Sequence, residues 1–169
     1  MGIFSRFSFL QLIALAMLLA GCAGPSYTYR YVPGKTAILS EGRAVAPMGA
    51  PAAVQAAVTA GNRIAGLPYG YGCGHGRGMD SAYDCSGAVS FVLREAGLLN
   101  EATTSDAFRH YGERGEGEWI SVYARRGHVF LAVAGVRFDT GWTRGPEGPQ
   151  WTTQSRPASG AVIRHPAGL

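Results

Sequence analysis

Between Pro51 and Asp139 the chain reads as two helices followed by three short strands, and that order leaves few folds open. Val54, Ala57, Val58, Gly61 and Ile64 or Ala65 recur at helical spacing after Pro51, and Gly66 with Pro68 ends the run. A second helix, from Cys85 to about Ala96, has Asp84 as its N-cap and Gly97 as its stop. Its buried stripe is Val89, Val92, Leu93 and Ala96. Alternation then takes over in residues 119–124, 128–134 and 136–139. Turns at Arg125-Arg126-Gly127 and Gly135 separate these strands, the pattern of an antiparallel meander. Helices first and strands after predict an α+β domain, with an antiparallel sheet packed against the N-terminal helices.

The remaining segments are less regular. Residues 66–83 read as a glycine-rich loop with three tyrosines, 105–111 as a short helix, and 141–160 as a loop containing Trp142 and Trp151. Residues 161–165 form a last strand. The 25 glycines point to many turns and close backbone approaches.

The N-terminus reads as an export signal. Arg6 precedes an apolar run from Phe7 to Leu19, too short and too abruptly ended for a transmembrane span. The run closes in Leu19-Ala20-Gly21-Cys22, which resembles a bacterial lipobox. That resemblance implies cleavage before Cys22, lipidation of its thiol, and a membrane anchor held by several acyl chains. Ala23 stands where an aspartate would resemble an inner-membrane retention signal, so the expected location is the outer membrane, facing the periplasm. An ordinary secretory signal is the alternative. Residues 1–21 are thus a signal peptide, 22–50 a lipid-anchored linker and 51–169 a catalytic domain. The linker assignment rests on Pro25, Pro33, Gly34, Gly42 and Pro47 without a sustained period, apart from a short strand around residues 27–32.

Arg6 is the only charged side chain before Cys22, so the remainder carries 14 basic and 11 acidic residues. The basic residues are scattered, with no stripe suited to nucleic acid. The balance serves solubility or a weak attraction to an anionic polymer.

Cys85 has the most distinctive position of any residue. A thiol at a helix N-terminus meets partial positive charge and free backbone N–H groups, which favour the thiolate. With a histidine as proton carrier it becomes a candidate nucleophile. Cys73, in Tyr71-Gly72-Cys73-Gly74, could instead pair with it as a disulfide in an oxidising compartment. His75 has no second ligand at a metal spacing, so no metal site is expected.

Three motifs in order resemble the NlpC/P60 cysteine peptidases of bacterial cell walls. They are Gly66-Leu67-Pro68-Tyr69, Asp84-Cys85-Ser86-Gly87 opening a helix that ends at Ala96-Gly97, and Gly127-His128-Val129 entering a strand. The resemblance covers residues 52–165 and implies a papain-like fold. It implies that Cys85 attacks an amide carbonyl and that His128 pairs with the thiolate and protonates the leaving amine. The family's third polar group, usually His, Asn or Gln, falls at Asp139, with His165 as a second candidate; an Asp-Thr pair closing a strand is the plain reading of the same residue. By resemblance Tyr69 lines the cleft, the Cys85 N–H serves an oxyanion hole, and Asp84 and Ser86 meet the free amine of a stem-peptide L-alanine. N-cap and first-turn roles account for Asp84 and Ser86 equally well.

The implied activity is hydrolysis of peptidoglycan stem peptides, most often between D-γ-glutamyl and diaminopimelate, with no metal or organic cofactor. An amidase or acyltransferase on the same fold is the alternative, as is a wall-binding lipoprotein without activity. Phe130, standing where the family often has a small residue, and Cys73 keep that last reading open.

Overall fold

The computed structural model describes residues 24–141 and 147–169. The signal segment, Cys22 and Trp142 lie outside the described residues. Among the described residues no helix is long and apolar enough to cross a membrane.

Two helices form where the period of 3.6 predicts them. Helix α1, Ala52–Ile64, buries Val54, Ala57, Val58, Ala60, Gly61 and Ile64. Helix α2, Cys85–Glu95, is capped by Asp84, whose side chain accepts a hydrogen bond from the Gly87 N–H. The expected stripe on α2 is wider in the structure: every residue from Ser86 to Leu93 is buried. The extra burial comes from the glycine-rich loop against the first turn, from Thr103 bonded to Ser90, and from Tyr83 against Phe91.

The strands are β1 (Ser26–Tyr27), β2 (Ile38–Ser40), β3 (Arg43–Val45), β4 (Glu113–Arg114), β5 (Ile120–Arg125), β6 (His128–Val133), β7 (Val136–Asp139), β8 (Gln150–Thr152), β9 (Arg156–Pro157) and β10 (Val162–His165). A single 3-10 turn, Ala107–His110, stands in place of the expected short helix. The main sheet has the order β4-β10-β5-β6-β7-β8, antiparallel throughout. The β5-β6-β7 meander at its centre matches the alternation in the sequence.

Period-2 alternation sorts the sheet residues onto two faces. Ile120, Val122, Ala124, Val129, Leu131, Val133, Val136 and Phe138 join the helices in the main core. Tyr123 and Phe130 point the other way and build a second cluster with Tyr27 and Ala158. Tyr123 and Phe130 stack at 4.7 Å between centroids, and Tyr27 meets both edge-on.

Two segments depart from the sequence reading, and Tyr27 and Ala158 in them cover the second face. Residues 24–50 do not run free as a linker would: β1 pairs with β9, β2 and β3 form a hairpin, and Tyr27, Ala37 and Ala44 are buried. A sheet face carrying Tyr123 and Phe130 needs cover, and this segment supplies it. Residues 141–160, expected to be loop, contribute β8 and β9. Trp151 on β8 packs on Phe138 and presses so closely on α1 that a Cβ on Gly61 would fall 2.4 Å from its ring.

Candidate active site

The glycine-rich loop sets the position of Cys85. The Asp84 N–H donates to the Cys73 carbonyl at 3.2 Å, and the Asp84 carboxylate accepts from the N–H groups of Gly87 (2.7 Å) and Gly72 (2.9 Å). These bonds fasten the loop to the start of α2. The thiol of Cys85 is partly exposed, and both Cys73 and Cys85 are free, so the disulfide alternative is not formed.

His128 starts β6, close enough to Cys85 for the thiol to raise its proton affinity. Its Nε2 donates to Asp139 Oδ1 at 2.9 Å, which leaves Nδ1 for the thiol. Cys85, His128 and Asp139 therefore form one chain of polar contacts. Burial is the largest single influence on His128 and disfavours the imidazolium. The hydrogen bonds to Asp139 and Cys85, with the charge of Asp139, outweigh it against opposition from Arg156, and proton affinity ends above the ordinary imidazole value.

Asp139 is almost fully enclosed, with 1% of its side chain exposed. Its Oδ1 also accepts from the Thr140 N–H at 2.8 Å. Its Oδ2 is bound by Arg156 Nη1 and lies 3.6 Å from Arg137 Nε. Both guanidiniums sit over aromatic faces: Arg137 is 5.9 Å from the ring centroids of Tyr27 and Phe130, and Arg156 is 5.4 Å from that of Phe130.

A cleft of about 310 Å³ opens at Cys85, lined by Tyr69, Tyr71, His75, Asp84, Ser86, Thr104 and Ser105 among others. Tyr69 holds its phenolic proton more tightly than usual, through burial first and then the nearby charges of Cys85 and Asp84. Asp84 is already engaged: Ser86 Oγ donates to Oδ1 at 3.0 Å, and His75 Nε2 lies 3.2 Å from the same oxygen. Burial is the largest influence on Asp84 and favours its neutral form, but these donors prevail and hold its carboxyl below the usual range.

Each residue singled out in the sequence now has a place. Cys85, His128 and Asp139 meet, and Tyr69, Asp84 and Ser86 border the thiol. His165 does not join them; it bonds the Gly115 carbonyl at 3.1 Å and faces Glu113. Phe130 does not line the cleft; it belongs to the second cluster, with its ring centroid 6.3 Å from that of His128. Sequence reasoning missed Arg137, Arg156 and the bond from His75 to Asp84. A single arginine, whether in a strand like Arg137 or between loops like Arg156, carries no signal of its own.

The chain is a mixed helix-and-sheet domain in which Cys85 opens a buried helix and His128 and Asp139 stand on the sheet. Among solved structures the chain is similar to NlpC1 from Trichomonas vaginalis, with a TM-score of 0.50 and 17% sequence identity. That match covers 70% of this chain and 45% of the other, so the chain spans less than half of its neighbour's length. The likeness is one of fold. No protein-family model matches the sequence, and no curated protein matches it.

Proposed function

We propose that the protein is a cysteine hydrolase of the cell envelope that cleaves peptide bonds in peptidoglycan stem peptides. The bond favoured by the motif resemblance is that between D-γ-glutamyl and diaminopimelate. The observation that carries the reading is the contact chain from Cys85 through His128 to Asp139.

In this mechanism the Cys85 thiolate attacks the amide carbonyl, and the oxyanion forms beside the N–H groups at the start of α2. His128 gives its proton to the leaving amine, and a thioester remains on Cys85. Water, deprotonated by His128, then releases the acid and restores the thiol. Asp139 keeps His128 oriented with Nδ1 toward sulfur. The chemistry calls for no metal or organic cofactor. A lipid on Cys22 would hold the domain at the membrane, in the outer-membrane leaflet facing the periplasm.

A second reading, an amidase or acyltransferase using the same thiol and histidine, is favoured by one observation. Asp84 and Ser86, which the resemblance assigns to a free substrate amine, are already engaged with each other and with His75.

The deciding experiment is mass spectrometry of defined muropeptides incubated with the full chain or with its Cys85→Ala variant. A new fragment made only by the parent establishes the hydrolase and names the bond. Intact muropeptides with a reactive Cys85 move the assignment to another acyl donor.

A further inference from the structure

Arg156 reaches the site by an unusual route. Strand β9 is not part of the six-stranded sheet; it pairs with β1 alone, Tyr27 opposite Arg156 and Ser26 opposite Pro157. The Ala158 N–H adds a bond to the Pro25 carbonyl at 2.9 Å. Tyr27 then ties this two-strand clip to the β6–β7 turn, its hydroxyl donating to the Gly135 carbonyl at 2.8 Å. The clip closes over the second sheet face and lowers Arg156 between the Phe130 ring and the Asp139 carboxylate.

We propose that Arg156 is a positioning residue of the Cys85–His128–Asp139 system, held in place by β1, and that its charge sets the pH range over which the thiolate–imidazolium pair exists. The proposal rests on the catalytic reading of Cys85 and His128.

Charge and geometry support it together. Arg156 binds Oδ2 while His128 binds Oδ1, so the carboxylate is fixed from both ends and cannot swing away from the imidazole. The groups around His128 are Cys85 from α2, Asp139 and Arg137 from β7, and Arg156 from β9. Tyr27 from β1 and Tyr123 from β5 are uncharged at neutral pH; burial pushes Tyr27 up to about 12 and Tyr123 higher still, and Tyr123 donates to Glu116 at 2.8 Å. Two guanidiniums thus face one buried carboxylate. The surplus positive charge opposes an imidazolium at His128, and on this proposal it favours the thiolate beside it. Neutralising a buried carboxylate alone would ask for one arginine, and Arg137 is already 3.6 Å away.

The test is alkylation of the full chain by iodoacetamide across a pH series, with Cys85 and Cys73 resolved by peptide mass spectrometry. The readout needs no substrate. Arg156→Gln keeps a donor to Asp139 and removes the charge; its reactivity profile moves to higher pH by about one unit. Arg156→Lys keeps the charge and the parent profile. A Gln profile at the parent position, or a Lys profile displaced like that of Gln, overturns the proposal. Should Arg156→Gln fail to fold, Asp139→Asn is compared with Asp139→Asn/Arg156→Gln; the second substitution must raise the profile by a similar amount, and no rise overturns the proposal. A parent Cys85 that stays inert at every pH sinks the catalytic reading and this proposal with it, whereas a reactive Cys85 with no shift sinks only the role of Arg156.

Discussion

The carbonyl oxygen of Cys73 lies directly against the backbone of Gly87, where a Cβ would fall 2.1 Å from it. Gly74 crowds the same point, its Cα 2.9 Å away. The first turn of α2 is therefore seated on the glycine-rich loop backbone to backbone. Gly87→Ala must push the two apart. The expected cost is about 1–3 kcal/mol, the range for overpacking a tight contact. Chemical denaturation measures it, and unchanged stability would mean that the contact yields freely.

Removing the proposed nucleophile separates chemistry from folding. Cys85 is partly exposed, so Cys85→Ala should leave the thermal melting curve close to the parent. Turnover of a cleavable acyl substrate should fall at least about a thousandfold. His128→Ala should come near the same loss. Substantial turnover by either variant would be incompatible with the proposed mechanism.

The pH profile carries a sign that can be checked. The working form holds a proton on His128, and contacts with Asp139 keep that proton to higher pH than the ordinary 6.5. Activity should therefore fall on the alkaline side as His128 deprotonates, at higher pH than for an ordinary imidazole. Asp139→Asn keeps a hydrogen bond but removes the negative charge, so the alkaline limb should move down by about one unit. An unmoved limb would show that Asp139 does not set the protonation of His128. Loss of Arg156 acts in the opposite direction.

Tyr27 tests whether the N-terminal segment belongs to the folded domain. It is 3% exposed, donates to the Gly135 carbonyl, and packs edge-on against Tyr123 and Phe130. Tyr27→Ala should cost about 3–5 kcal/mol, as for other buried aromatic side chains cut to alanine. A residue in a free linker would change stability by no more than about 0.5 kcal/mol. Thermal or urea unfolding distinguishes the two.

Helices α1 and α2 and the β5-β6-β7 meander were legible because each repeats its own period long enough to be recognised. The N-cap at Asp84 located the thiol, and the strand starting at His128 located its partner. Asp139 was singled out only by the motif resemblance, and the β6–β7 register, extended by one pair, places it opposite Phe130 and diagonal to His128. Strands β1 and β9 were not legible. Two residues cannot display alternation, and the pairing of Tyr27 with Arg156 joins segments at opposite ends of the chain. Without that pairing, Arg156 is one arginine in a Gly- and Pro-rich stretch. Phe130 could have been placed from parity, since it shares a face with the residue paired to it, Tyr123.

Strand β1 also fixes a length. Three residues, Ala23, Gly24 and Pro25, separate Cys22 from Ser26. Fully extended, four residue steps reach about 14 Å. With the lipid proposed at Cys22, the domain would be moored on a leash no longer than its own radius of gyration, about 15 Å for a chain of this size. Its patrol would be confined to wall strands that come down to the membrane, and more distant glycan would have to be brought to it.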